Sequence, residues 1–439
     1  MLKYLYEVTE DLLPVVALVT LLYVTQERLY GRWGRVSQII GIVAGLIGSA
    51  VMAAIRQTTT MLTQTASYWN FYSYFGTFIF ALLFLLFSLF STAFFTRLDK
   101  KDGKHLALLD KTSCIFGSCL SALMIFGKCR EDMRKPFNFN TMGNGTLSSD
   151  YFIRLLGFAL ALILLLLFSI LLAKCAKNYR KVFLPYTITV LSALTILVHF
   201  TGLSVSSLTS VVFTRKIGFP ITFSSAKYPH LYKFAIGTYN SSLAFTLILM
   251  ALALLLIVLF YRENTKIVDP YDNSAQLRKL KAKNRRHRRY AAAFTVCLAL
   301  SIVTITAVKA EATKAVELSA PETFTVSGNQ ILVSLDQLSD GNLHRFEYEV
   351  GKTKVRWIVI KKPNSAAYGV GLDACDVCGN AGYYQRGDQV VCKRCDVVMN
   401  INTIGFKGGC NPIPLNYSID NGQMVFELAD IEAGAKEFK

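Results

Sequence analysis

Four cysteines near the C-terminus carry the clearest chemistry in this 439-residue sequence: Cys375-Asp-Val-Cys378-Gly and Cys392-Lys-Arg-Cys395. Two residues separate the cysteines within each pair, and thirteen separate the pairs. Two such turns can present four thiolates to one tetrahedral ion, because each knuckle curls its backbone N–H groups toward the sulfurs. Gly379, directly after the second cysteine, permits the tight turn. Zinc, mononuclear iron and an iron–sulfur cluster all accept four thiolates, so the pattern leaves the metal open. Disulfides are the competing reading, since unmetallated cysteines in an oxidising compartment pair with one another.

A fifth cysteine lies in Gly408-Gly409-Cys410-Asn411-Pro412-Ile413-Pro414. Glycines before it and prolines after it make a rigid loop in which backbone can approach a ligand closely. Cys410 therefore reads either as an additional or exchange ligand or as a buried structural thiol. Met399 and His344 also carry ligand atoms, but they read first as core or surface residues. Cys114, Cys119, Cys129, Cys175 and Cys297 lack knuckle spacing and read as small apolar residues.

A second set of residues draws interest because of where it lies. Ionisable side chains pulled toward a bilayer are functional candidates by default. Glu10 and Asp11 precede an uncharged run, Leu12–Gln26, that is only 15 residues long. Asp110 and Lys111 precede another, Thr112–Gly127, of 16. Acids opening the first and fourth spans suggest an inverted repeat of three helices. Ordinary interfacial capping by carboxylates at helix N-termini is the plainer explanation. His199, inside an apolar run, joins Glu10, Asp11 and Asp110 as a candidate pathway residue, or is simply a packed or hydrogen-bonded histidine.

The elements that must position these residues follow from composition. The chain is 53% hydrophobic and only 17% charged, against roughly 25% charged in ordinary globular proteins. That excludes a purely cytosolic enzyme, a secreted disulfide miniprotein and a disordered chain. About 20 apolar residues cross a hydrocarbon core. Val36–Ile55, Phe71–Phe95, Leu155–Ala173, Phe234–Tyr261 and Tyr290–Val308 meet that length, as does a run from Val182. With the two short runs, eight spans are expected.

The formal net charge of +18 comes from the membrane part: residues 1–309 hold 34 Lys+Arg and 13 Asp+Glu, residues 310–439 hold 13 and 16. Cations gather in alternate connections: Arg28, Arg32 and Arg35; Arg97, Lys100, Lys101 and Lys104; Lys174, Lys177, Arg180 and Lys181; and Arg262–Arg289, which ends in KLKAKNRRHRR. The connections between these hold far fewer, mainly Lys128–Lys135 and four between Arg215 and Lys233. Cytoplasmic loops are the basic ones, so both termini are expected outside the cytoplasm. The RRHRR run is a topology anchor on an anionic leaflet rather than a nucleic-acid site, and no nucleic-acid partner is expected. No signal peptide is evident in Met1–Glu10, and the last span reads as an uncleaved anchor.

Beyond about Glu311 the periodicity changes to that of strands: Thr323–Val326, Gln330–Leu335, His344–Val350 and Lys354–Ile360, with later ones at Gln389–Cys392 and Met424–Leu428. Gly351-Lys352 supplies a hairpin turn. The expected fold is therefore a polytopic α-helical membrane protein with a C-terminal β-rich, extracytoplasmic metal-binding domain. Residues 1–289 form a seven-span domain, 290–309 an eighth span, and 310–439 the exported module.

The segment CDVCGNAGYYQRGDQVVCKRCDVVMNINTIGFKGGCNPIPL, Cys375 to Leu415, resembles the FtrD-like family of bacterial membrane iron–sulfur-containing proteins. The resemblance implies a metal-binding module associated with iron uptake, with Cys375, Cys378, Cys392 and Cys395 in the matching positions. It raises iron, alone or in an iron–sulfur cluster, above the zinc alternative. The first seven spans more faintly resemble Ftr-type iron permeases, in which an Arg-Glu-Gly-x-Glu motif opens the first and fourth helices. Here Thr9-Glu10-Asp11-Leu12-Leu13 matches only the first acid, and the fourth helix has only Asp110-Lys111.

Together these readings give a bacterial inner-membrane protein whose four-cysteine site handles iron or electrons for uptake proteins. At most it is an electron-transfer or ferric-reductase-like component. The sequence shows no haem-binding C-x-x-C-H and no dinucleotide fingerprint, so an electron donor must be a separate partner. The alternatives are a metal-ion transporter with a structural zinc-ribbon-like cap, and a sensor or assembly factor. Besides the lipid bilayer and iron-uptake proteins, a homo-oligomer is compatible with the sequence.

Overall fold

The computed structural model describes residues 1–58, 66–97, 103–139, 149–208, 228–314 and 317–438, apart from Asn364, Val377, Asp388, Cys395, Asp396 and Gly409. Lys100, Lys101 and Arg215 therefore lie outside the described residues. The chain divides into two compact units, Met1–Phe139 with Phe152–Thr313, and Lys314–Lys439 with the short segment Asn140–Tyr151.

The first unit is all helix. Its elements are α1 (Leu2–Thr58), α2 (Ala66–Arg97), α3 (Gly103–Asp132), α4 (Ser149–Asn178), α5 (Phe183–Leu208), α6 (Pro229–Asn240), α7 (Ser242–Glu263) and α8 (Ser274–Val303). Among the described residues, seven helices are long and apolar enough to cross a membrane. The first contains two of the expected spans. Its backbone leaves helical geometry at Gly31 (φ 60°, ψ −131°), a conformation that glycine adopts without steric penalty.

Residues 32–58 then fold back along residues 2–30. Gln38 Nε2 donates to Gln26 Oε1 at 2.9 Å, and Arg35 meets Glu27 at 2.6 Å. In a straight helix, residues 26 and 38 would be about 18 Å apart along the axis. Ser121 on α3 closes the polar cluster by donating to Gln38 Oε1 at 2.9 Å. Interhelical hydrogen bonds of this kind are specific glue where lipid offers no hydrophobic drive.

Two other segments differ from expectation. Phe234–Tyr261 was expected as one helix, but it breaks at Ser241 between α6 and α7. The basic run expected in a loop before the last span is helical. Asn273 caps α8 by accepting from Gln276 N at 2.8 Å. The helix then continues through a π-turn, Thr304–Val308, so that Ser274–Ala312 is one 39-residue rod. Within the run, His287 is buried and its Nδ1 lies 2.9 Å from Asn264 Oδ1.

The second unit is built from three antiparallel sheets. One has the order β1 (Thr325–Ser327), β2 (Gln330–Ser334), β10 (Gln423–Glu427), β9 (Ser418–Asp420). A second runs β3 (His344–Val350), β4 (Thr353–Lys361), β5 (Tyr368–Leu372). The third runs β6 (Tyr383–Arg386), β7 (Gln389–Cys392), β8 (Val398–Met399). The β3–β4 turn is Gly351-Lys352, between the paired Val350 and Thr353.

Strand β4 is the pivot of this unit because both of its faces are covered. Val355, Trp357 and Val359 point into the main core, with Phe346 stacked on Trp357 at 5.6 Å. Ile358 and Ile360, on the opposite face, belong to a second apolar cluster that contains Cys375, Cys378 and Cys392. The near-continuous apolar run in β4 is what burial on both faces requires.

Candidate metal centre

The first cysteine pair is a closed knuckle. Cys375 N donates to Gly379 O at 3.1 Å, and Gly379 N returns to Cys375 O at 2.9 Å. Cys378 N donates to Cys375 Sγ at 3.1 Å. Gly379 has φ +64°, the turn conformation for which glycine was expected. Both cysteines are buried.

The third sulfur comes from Cys410. The segment after it runs beside β5: Leu372 N donates to Ile413 O at 2.7 Å, and Ile413 N donates to Ala374 O at 3.0 Å. Gly371 makes this approach possible, since a Cβ there would lie 2.8 Å from Ile413 O and from Pro412 Cβ. The ligand atoms of Cys375, Cys378 and Cys410 consequently lie within 4.8 Å of one another. Cys410 is partly exposed, whereas the other two are buried.

The second pair is described only in part. Cys392 closes β7 opposite Tyr383 of β6, is buried in the same apolar cluster as the first pair, and donates from N to Val397 O at 3.0 Å. Cys395 lies outside the described residues. Arg394 bridges the two knuckles, donating from a terminal nitrogen to Cys378 O at 3.2 Å. Among the described residues no disulfide joins members of the two pairs. Three buried or half-buried sulfurs facing one another form a donor set that can hold a thiophilic metal such as iron or zinc.

Two residues that spacing did not single out hold the site in place. Asp373, fully buried, accepts from Arg345 Nε at 3.0 Å and Arg356 Nε at 3.1 Å. Its other oxygen accepts from Tyr383 N at 2.8 Å. Arg345 also donates to Tyr383 O, and Arg356 to Asn380 O at 2.8 Å. Both ends of the loop that carries Cys375 and Cys378 are thereby tied to β3 and β4. The only sequence signal for this was one acid closing the apolar run Tyr-Gly-Val-Gly-Leu-Asp.

Tyr383, buried between the pairs, donates from its hydroxyl to Cys410 O at 2.6 Å. Burial first, and the neighbouring Cys375 sulfur next, push its phenol far above the ordinary value, so Tyr383 remains a hydrogen-bond donor. Met399 is buried in the same apolar cluster. His344 is committed elsewhere: its Nδ1 lies 3.0 Å from Glu322 and its Nε2 lies 2.8 Å from Asp340.

The membrane acids also have partners. Glu10 meets Lys309 at 2.7 Å, and Asp11 meets Lys128 at 3.4 Å and Lys135 at 3.8 Å. Asp11 and Lys128 line a cavity of about 240 Å³ with Arg56, Asn70, Tyr74, Gly127 and Glu131. Neither α1 nor α3 has an acid in its first turn. Glu10, Asp11 and Asp110 sit deeper, which corrects the capping explanation, because a helix dipole acts within the first turn. Asp110 lies within electrostatic reach of Tyr30, about 28 Å along the helix from Asp11. The structure thus groups Glu10 and Asp11 at one end of the bundle and places Asp110 at the other.

His199 is packed: its ring stacks on Phe245 at 4.7 Å, and its Nε2 has no hydrogen-bond partner among the described residues. At the Asp110 end, the cations expected in cytoplasmic loops converge. Arg28 donates to Ala176 O at 2.8 Å, Lys177 reaches Glu27 at 3.0 Å, and Arg180 lies 3.8 Å from Asp269.

Comparison with known proteins places this geometry. Residues 338–438 match the family described as membrane iron-sulfur containing protein FtrD-like. No curated protein and no solved structure matches the chain. The matched segment runs from the turn after β2 through the knuckles and Cys410 to the short C-terminal helices Leu428–Ala433 and Gly434–Phe438. With seven helices among the described residues long and apolar enough to cross a membrane, the chain is a multi-pass membrane protein whose C-terminal segment is similar to a membrane iron–sulfur family.

Proposed function

We propose that this protein is a membrane redox component of iron uptake, whose C-terminal unit binds iron through cysteine thiolates and passes electrons, or iron itself, to a partner. The observation that carries the reading is the convergence of Cys375, Cys378 and Cys410, with ligand atoms within 4.8 Å of one another. Cys392 and Cys395 complete the ligand set in this reading, with Cys410 as the extra or exchange ligand. Rigid ligands suit one-electron transfer because little reorganises when the metal changes charge. Asp373, Arg345 and Tyr383 supply that rigidity through the bonds described above.

In this proposal α1 crosses the bilayer twice, giving eight spans and both termini outside the cytoplasm of a bacterial inner membrane. The domains are residues 1–289, 290–309 and 310–439. The first and fourth spans open an inverted repeat, and Glu10, Asp11, Asp110 and His199 line its pathway. The convergence of Arg28, Lys177 and Arg180 at one end of the bundle favours that orientation. The second reading, a metal-ion transporter with a structural zinc cap, draws on the same thiols.

The test is metal retention by purified, oxygen-protected variants. Cys378→Ser and Cys392→Ser should each lose most of the bound iron and loosen the C-terminal unit, since metal binding at such a site is coupled to folding. Full iron in both variants would refute the ligand assignment.

A further inference from the structure

Resting on the proposed redox function, we infer that the loop carrying Cys410 is the docking face for a separate electron-carrier protein with an acidic surface. Three observations converge on it. Cys410 is the only member of the three-thiol cluster that reaches the surface, so the shortest through-bond exit from the cluster is at this edge. Four residues before it, Phe406 is 62% exposed. A turn holds Phe406 there: Phe406 N donates to Thr403 O at 3.0 Å, and Gly405 has φ +100°.

Cations surround that aromatic. Lys362 Nζ lies 5.1 Å above the Phe406 ring and donates to Asn402 O at 3.0 Å, while Lys407 is exposed beside it. The charge of the domain is polarised in the same sense. Residues 361–411 hold six Lys+Arg and four Asp+Glu, one of which is the buried Asp373, whereas the remainder of 310–439 holds seven and twelve. Two lysines at the exposed aromatic, in a basic stretch of an otherwise acidic module, favour an acidic partner. An exposed aromatic ringed by charge is also the composition of small, transient interfaces.

The transfer at this face is one electron from the carrier to the site. The carrier is oxidised by one unit and the site is reduced by one, with no bond made or broken and no proton required. Among the described thiols of the cluster, Cys410 at this edge is the one an external donor reaches most directly.

The test uses the full chain in nanodiscs with a trifluoromethyl-phenylalanine in place of Phe406, followed by fluorine NMR. Plant-type [2Fe–2S] ferredoxin serves as the acidic carrier, cytochrome c as a basic one, and hexacyanochromate(III) as a small redox-inert anion. Ferredoxin should shift or broaden the label saturably at low salt, and the effect should vanish at high salt. Lys407→Glu should weaken its apparent affinity by roughly tenfold, and Lys407→Gln by less, with unchanged thermal unfolding. No response to ferredoxin, an equal response to cytochrome c, or a response to hexacyanochromate alone would each overturn the inference. The label reports docking whether or not metal is bound, and the visible absorption of the same sample reports the metal. Docking without iron would therefore sink the redox reading alone.

Discussion

The Tyr383 hydroxyl donates a 2.6 Å hydrogen bond to the carbonyl oxygen of Cys410. This single bond joins the β6 strand, which leads into the second cysteine pair, to the loop that brings the third sulfur beside the first pair. Tyr383 is also held through its own N–H by Asp373, two residues before Cys375. Three stretches far apart in the chain are thus referenced to one buried phenol and one buried carboxylate.

Asp373 should accordingly be a positioning residue of large effect. Removing one member of a buried ion pair leaves the other charges uncompensated, at a cost of about 3–5 kcal/mol. Asp373→Ala should lower the stability of the C-terminal unit by that order, and near-ultraviolet circular dichroism of Trp357 reads it out. A loss under 1 kcal/mol would mean that the two arginines find other partners.

Much of the C-terminal unit is legible in the sequence. Strands β2, β3, β4, β7 and β10 announce themselves through β-branched and aromatic residues, and Gly351-Lys352 marks the β3–β4 turn. Strand β5 was missed because Tyr-Gly-Val-Gly-Leu reads as a weak strand. Its glycines are there for close packing, against Pro412 and Ile413 at Gly371. Spacing likewise reveals the cysteine pairs, but it says nothing about Cys410. The glycines and prolines around it mark a rigid loop, but that residue joins the pair only because the chain returns along β5, a tertiary event.

In the membrane unit the apolar runs located the helices, but several helices continue through charged residues beyond those runs. The reversal at Gly31 was already implied by the Arg-rich gap between two runs. The break at Ser241 was not, since no proline or charge marks it. The acids were placed too near the helix starts because the uncharged runs are shorter than the helices that contain them.

If Glu10 and Asp110 serve a permeation pathway, Glu10→Gln and Asp110→Asn should lower iron-dependent growth or uptake severalfold without lowering protein abundance. The Glu10–Lys309 pair is partly exposed, and such pairs contribute about 0–1 kcal/mol, so loss of function by unfolding is not expected. Wild-type uptake in both variants would assign these acids to structural pairing alone.

Acid should affect the β3 end of the C-terminal unit through Asp340. The backbone N–H of Asn342, and then its side chain and His344, hold the Asp340 carboxyl down to about 2. An unfolded aspartate titrates near 3.9 (about that value in model peptides). A carboxyl with a lowered folded pKa stabilises the fold fully above the unfolded value, and the contribution is lost as pH falls through the folded one. Asp340→Ala should therefore flatten the decline in thermal stability between about pH 4 and pH 2. An unchanged decline would place the acid-sensitive group elsewhere.

The central claim is that iron sits on cysteine thiolates in the C-terminal unit. Elemental analysis together with an absorption spectrum of the purified, oxygen-protected full chain addresses it most directly. The account predicts stoichiometric iron with sulfur-to-iron charge-transfer bands in the visible that bleach on reduction. A colourless protein with stoichiometric zinc, or one free of metal with a Cys375–Cys378 disulfide, would contradict it.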